Sequence, residues 1–314
     1  MDLSLLFAGT GGSVPTARRG LPALLLSAGA DRLLFDCGEG TQRQLLQSAG
    51  LPDLDAIFVT HYHADHWLGL PGMLKTFDLR GREAPLVVYG PPGLKALFGA
   101  IRPMWGRVAY PLELVELDRH DEVGFDGYVV SPFPVEHRIP AYGYAFVEGD
   151  RPGRFDATEA ERLGVEPGPD FGRLQHGEAV GGVRPEQVIG EDRPGRRIVI
   201  SGDTAPCQGV EAFAHRADVL VHEATFLDSE RTRARETGHS TATQAAELAR
   251  DAEVRLLALT HLSTRYFPRD VRTEARAVFA DTVVPRDFDV IEVPFPERGA
   301  PEVVRQEPRA EAAS

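Results

Sequence analysis

A layered protein of mixed α and β structure is what this sequence predicts, and three observations predict it. Apolar runs of strand length recur along the chain, separated by glycine-bearing turns. A few segments of helix-like pattern interleave with them. Four of the apolar runs also end on a residue able to hold a metal: "IFVT" before His61, "IVISG" before Asp203, "VLV" before His222 and Glu223, and "LLALT" before His261. Ligand sites of layered α/β proteins gather at strand ends, so these four ends point to one shared edge.

In chain order, "DLSLLFAG", "ALLLSAG" and "DRLLFDCG" read as three strands. "TQRQLLQSAG" reads as a short helix stopped by Gly50. "DAIFVT" is a buried strand, and "HWLGLPGMLKTFDLRG" is a helix after it. "PLVVYG" is another strand, and residues 114–149 form a hairpin-rich β stretch. Residues 148–192 are polar and rich in Gly and Pro, with one amphipathic piece, "DATEAERLGV". They read as an arm leaving the main body. Strands resume at "RRIVISGDT", "ADVLVHEATF" and "VRLLALTHLS", with the helix "STATQAAELARDAE" before the last. No linker divides the chain, so residues 1–297 are expected to form one domain and 298–314 a disordered tail.

Composition excludes several classes. The net charge of −13 argues against a protein that coats nucleic acid non-specifically. No apolar run approaches the roughly 20 residues of a membrane helix, and "MDLSLLFAGTGG" reads as a first strand rather than a signal peptide. Two cysteines, Cys37 and Cys207, leave no disulfide framework and no cysteine-based zinc site, and they favour a cytoplasmic location. Of 34 basic residues only Lys75 and Lys95 are lysine.

"HYHADH", residues 61–66, crowds three of the chain's ten histidines and one acid into six positions. Surface histidines, with Asp65 capping the next helix, would be the bland account. A metal account has geometric support: residues two apart face the same way in an extended loop, so His61 and His63 can grip one ion while Asp65 and His66 grip a second. Zinc suits such ligands, and manganese or iron would fit them too. Two ions need more donors. His137, Asp203 and His261 are candidates, although alone the two histidines would pass for core residues and Asp203 for a turn residue. One site is then His61, His63, His137 and Asp203, the other Asp65, His66, Asp203 and His261.

The hexapeptide matches the HxHxDH signature of the metallo-β-lactamase superfamily. Together with "FDCGEGTQRQL", "SGDT", "HEATF", "GHSTATQAAELA" and "LTHLSTRY" it resembles the short-form tRNA 3′-processing endonucleases of that superfamily, from residue 4 to about 295. The resemblance implies a four-layer αβ/βα sandwich, two facing mixed sheets with helices outside. It implies that the seven residues named above bind two zinc ions and that Asp65 accepts a proton. Glu223 would orient His239, and His239 would contact the scissile phosphate or protonate the leaving oxygen; an N-cap at Ser240 or Thr241 and a plain salt bridge at Glu223 are the alternatives. The expected reaction is attack of a metal-bridging hydroxide on phosphorus. It releases tRNA with a 3′-hydroxyl and a trailer with a 5′-phosphate.

The resemblance also implies a homodimer acting on precursor tRNA. "GPDFGRL", with Gly168, Pro169 and Gly172, is similar to the family's tRNA-gripping arm motif, but residues 148–190 hold five arginines, no lysine and nine acids. "VPTARRG", with Arg18 and Arg19, is similar to the loop that discriminates the CCA end, with Gly20 where asparagine is usual. Two other readings stand beside this one: a phosphodiesterase, sulfatase or lactonase of the same fold with a small substrate, and a non-catalytic RNA-binding module.

Overall fold

The structure, a computed structural model, describes residues 1–306. The chain opens with an antiparallel meander, β1 (Leu3–Gly9), β2 (Ala23–Ala28) and β3 (Asp31–Phe35). Helix α1 (Thr41–Ser48) leads to β4 (Ala56–Phe58), parallel to β3. Then come α2 (Ala64–Trp67), α3 (Leu70–Leu79), β5 (Leu86–Gly90), α4 (Leu94–Trp105) and β6 (Leu112–Glu116). A second sheet starts with the antiparallel strands β7 (Val123–Phe125), β8 (Tyr128–Pro134) and β9 (Tyr142–Glu148).

After an excursion bearing α5 (Ala157–Arg162) and α6 (Pro169–Gln175), β10 (Arg197–Ile200) returns antiparallel to β9. Next are α7 (Gln208–Ala214), β11 (Val219–Glu223), α8 (Arg231–Thr237), α9 (Ala242–Asp251) and β12 (Leu257–Thr260). The chain ends with α10 (Pro268–Arg276), β13 (Thr282–Val283), β14 (Val290–Glu292) and β15 (Glu302–Val304).

The strand order is β15-β14-β1-β2-β3-β4-β5-β6 in one sheet and β13-β12-β11-β10-β9-β8-β7 in the other. Both mix parallel and antiparallel pairs. Three apolar clusters explain the layering. The central one takes Leu5, Phe35 and Phe58 from the first sheet and Tyr144, Phe146 and Val221 from the second. A second lies under the helices of the first sheet (Leu6, Leu45, Leu74, Phe98), and a third under those of the second (Val199, Val210, Ala246, Val271). Successive residues of β1 thus point into different clusters. That is why its sequence is apolar throughout instead of alternating. The result is the four-layer sandwich expected, helices outside and two sheets within.

The two sheets are joined by more than apolar contact. Tyr144 of the second sheet donates its hydroxyl to the Val59 carbonyl beside β4, at 2.8 Å. This places the C-terminal ends of β4 and its neighbours against those of β10 and β11, where the site is built.

Three expectations need correction. The helix expected over residues 66–81 is two helices, broken at Leu68 and Gly69. Gly69 lies so close to the first loop that an added Cβ would fall 2.2 Å from the Gly38 carbonyl oxygen, and its N–H donates to the Cys37 carbonyl instead. The β stretch of residues 114–149 belongs to both sheets: β6 closes the edge of the first, and only β7 to β9 join the second. The tail expected to be disordered from residue 298 contains β15, paired in register with β14; residues 307–314 lie outside the described residues.

Candidate metal centre

Four strand ends bring the candidate ligands to one edge between the sheets. Just past β4 stand Thr60 and His61, with His63 next along the loop. Asp65 and His66 occupy the first turn of α2. His137 follows β8, Asp203 follows β10 by way of Gly202 in the left-handed region (φ 61°), and His261 follows β12. His261 itself has φ 56°. A non-glycine residue held there is strained, and such strain concentrates at functional sites.

The donor atoms form the first group expected from sequence in full and the second without Asp203, which with His239 and His261 makes a third. His61, His63, His137 and Asp203 each offer one ligand atom within 4.8 Å of the others, and so do Asp65, His66 and His261. Asp203 Oδ2 lies between the groups, 3.7 Å from His61 Nε2, 3.4 Å from His66 Nε2 and 3.3 Å from His261 Nε2. Asp65 does not cap α2: its Oδ2 faces His261 Nε2 at 3.3 Å and accepts the Ser13 N–H at 2.8 Å.

His63 turns its Nδ1 inward, 3.1 Å from His61 Nε2 and from His137 Nε2, and the far side of each of the other four imidazoles is fixed. His66 Nδ1 bonds Asp36 at 2.7 Å, His137 Nδ1 bonds the Gly238 carbonyl at 2.7 Å, and His261 Nδ1 meets the Thr225 hydroxyl at 2.8 Å. His61 Nδ1 meets Thr60 Oγ1 at 3.0 Å, and Thr60 in turn donates to Asp36. In each case Nε2 is left pointing inward. Such outer bonds orient the imidazoles of metal sites.

This arrangement fits a divalent cation. His66 Nε2 is buried with no hydrogen-bond partner, although a buried polar atom without one is costly. Burial and the neighbouring histidines push His61 well down, and burial chiefly lowers His63 and His137, leaving those three rings neutral with a lone pair to give. Burial would raise Asp203, but His261 and His66 hold it well below the carboxylate range. An ionised acid among inward-facing imidazoles is a cation-binding set.

His239 stands beside this set, in the loop between α8 and α9. Its Nδ1 pairs with Glu223 Oε1 at 2.7 Å. Glu223 is itself buried and held by the Thr204 and Thr225 backbone N–H groups and the Thr225 hydroxyl. Burial works against the imidazolium, yet Glu223 and Asp203 prevail and push His239 up to about 9. The helix-cap alternative also holds, and the two coexist: Thr241 caps α9 through a reciprocal pair with Gln244.

Not every predicted residue joins the site. Gly168, Pro169 and Gly172 lie on or before α6, in the excursion between β9 and β10. Arg18 is exposed in the loop after β1. Arg19 turns inward, bonding the Thr10 hydroxyl and the Pro285 carbonyl, so its guanidinium braces the loop. His222 points to the opposite face of β11 from Glu223 and bonds only a backbone carbonyl. Asp36 and Thr225 were missed. Asp36 carries the same signal as the others, an acid directly after an apolar strand, and stands at φ 58°.

A family model described as the metallo-beta-lactamase superfamily matches residues 22–261. A ribonuclease Z of Myxococcus xanthus is 48% identical over 93% of this chain and 98% of its own length. One from Methanosarcina acetivorans is 43% identical over 93% and 99%. The crystal structure of human tRNase Z, short form, superposes with a TM-score of 0.68 at 28% identity, covering 93% of this chain and 99% of that one. The fold protein YhfI of Bacillus subtilis reaches 0.70 at 19% identity, over 93% and 100%, a likeness of fold alone. With its donor set intact and relatives matched end to end, the chain belongs to the ribonuclease Z family of the metallo-beta-lactamase superfamily.

Proposed function

We propose that the protein is a zinc-dependent endoribonuclease that removes the 3′ trailer from precursor tRNA, leaving a 3′-hydroxyl on the tRNA and a 5′-phosphate on the trailer. The observation that carries this reading is the pair of donor groups with Asp203 Oδ2 between them, 3.3–3.7 Å from His61, His66 and His261, and His239 alongside. His61, His63, His137 and Asp203 would hold one ion, and Asp65, His66, Asp203 and His261 a second; manganese or iron would suit the same donors. When bound, divalent ions supply Lewis-acid polarisation of the phosphate and of the attacking water.

The chain's own groups do the rest. Asp65, kept ionised and aimed by Ser13 and His261, accepts the proton of the attacking water. Glu223 holds His239 Nδ1, so Nε2 carries its proton towards the leaving 3′-oxygen. Residues 148–192, with Gly168, Pro169 and Gly172, serve as the tRNA-binding arm, and Arg18 contacts substrate near the cut. Two copies form the working unit, an idea favoured by exposed Leu46, Leu68, Leu79 and Met104 along the helix layer of the first sheet. Two free thiols suit a reducing cytoplasm.

Incubating metal-loaded protein with a 3′-extended precursor tRNA tests the reading. Cleavage at the trailer junction, lost in Asp65→Ala, is the expected outcome; no cleavage, or full activity of that variant, overturns it. A small-substrate hydrolase is the second reading. The arm's Arg162 and Arg173 are paired with Glu159, Asp170 and Glu178 rather than left for RNA. Equal turnover of bis(p-nitrophenyl) phosphate and precursor, with no tRNA affinity, would favour it.

A further inference from the structure

We propose that an arginine-lined groove beside the metal centre binds the single-stranded 3′ trailer of the precursor; the proposal rests on the endonuclease reading above. The groove encloses about 1320 Å³, and Arg18, Arg43, Arg269, Arg272, Arg286 and Arg305 line it. These six come from separate places: the loop after β1, helix α1, helix α10, the segment after β13 and the end of β15. All six are exposed. Among the described residues only Arg269 has a carboxylate within ion-pair reach, that of its neighbour Asp270.

Among the described residues, no lining acid comes within ion-pair reach of these arginines. Asp287 faces inward and accepts from Thr10, Gly20 and Gln44, while Asp289 accepts the Arg286 backbone N–H. Glu39 alone among the lining acids is exposed. A chain of net charge −13 therefore keeps a cationic concavity. Clustered cations without partners raise the local concentration of an anion, and a phosphodiester strand offers one charge per nucleotide.

Two observations select an unpaired strand that leaves the metal centre. The groove wall includes Leu262 and Ser263, directly after His261, and the Pro15–Gly20 loop, which begins two residues past the Ser13 N–H that holds Asp65. A strand cut at the donor groups emerges there. Tyr266 and Phe267 also line the groove, and Phe267 is 66% exposed. Exposed rings beside arginines form the stacking platforms of single-strand binders, because unpaired bases offer their faces and a duplex does not.

The test compares two precursor tRNAs that differ only in trailer length, one nucleotide and roughly a dozen, the longer spanning several phosphates of groove. The native enzyme, Arg272→Ala with Arg286→Ala, and Phe267→Ala are assayed over a range of salt. The native enzyme should favour the long trailer by about tenfold in kcat/KM, and both variants should lose most of that ratio. The log–log salt slope for the long trailer should shrink by about 0.7 for each arginine removed.

A native enzyme blind to trailer length would overturn the proposal. So would variants that lose activity equally on both precursors, which would put the tRNA body in the groove. A change in oligomeric mass in the arginine variant would assign the groove to a second copy instead. If the native protein cut neither precursor, the endonuclease reading would fall and the proposal with it.

Discussion

At the scale of the residue, reactivity depends on how one imidazole is held. His239 keeps its proton because Glu223 is buried against it and is locked by two backbone N–H groups. His239→Ala should lower kcat by about 10²–10⁴, the usual worth of a positioned acid, with a smaller effect on KM. The pH profile should show the pairing. A raised pKa keeps the acid form present up to about 9, so activity should fall on the alkaline side near that value. In Glu223→Gln the falling limb should move down towards the ordinary histidine value of 6.5. A limb that stays in place would show that Glu223 does not set the His239 proton.

The same scale shows what was legible locally. His61, Asp203 and His261 could be found because a polar residue after a buried strand is conspicuous, and Asp36 obeys that rule as well as His61 does; His63, Asp65 and His66 came from the histidine cluster instead. What sequence could not tell was direction. His222 and Glu223 are adjacent and equally buried, but strand alternation sends only Glu223 to the site.

At the scale of the element, the excursion between β9 and β10 is fastened at its base by the C-terminal segment. Arg196, 2% exposed, bonds Glu148 twice, at 2.8 and 2.9 Å, and its guanidinium lies 4.0 Å from the centre of the Phe295 ring. Arg151 lies over the same ring at 3.6 Å, and Arg151 and Arg193 both donate to Glu297. Arg196→Met would leave Glu148 uncompensated and should cost about 3 kcal/mol in urea unfolding. Burial raises the Glu148 carboxyl, but its bonds to Arg196 outweigh that and leave it lowered. The pair's contribution is therefore complete above the unfolded value near 4.5 and fades as pH falls through the folded one. The variant should lose less stability than the native chain between neutral pH and pH 3; equal losses would remove the pair from the account.

Elements differed in how plainly they could be read. β1 to β4 are buried on both faces and announce themselves as apolar runs. Helix α4 went unrecognised because Gly99 and Pro103 interrupt its pattern, and α10 because it is rich in charge. The placing of β6 in the first sheet depends on its parallel pairing with β5, a long-range fact that no local window contains.

At the scale of the whole molecule, the acidic chain gathers six exposed arginines in one concavity and keeps its donors at one sheet edge. No helix among the described residues is long and apolar enough to cross a membrane. The exposed side chains on the helices of the first sheet, Leu79 at 83% and Met104 at 87%, are the surface proposed to meet a second copy. Sedimentation equilibrium should return twice the chain mass of 34.3 kDa. Leu79→Glu with Met104→Glu should return the single mass with the secondary structure intact; a native protein of single mass would refute the dimer.

The claim on which the others depend is that donors from four strand ends surround two cations. Anomalous diffraction at the zinc edge, from crystals grown with zinc, measures this directly. Two peaks are predicted, one among His61, His63, His137 and Asp203 and one among Asp65, His66, Asp203 and His261, with Asp203 touching both. A single peak, or zinc bound elsewhere with these side chains empty, would contradict the account.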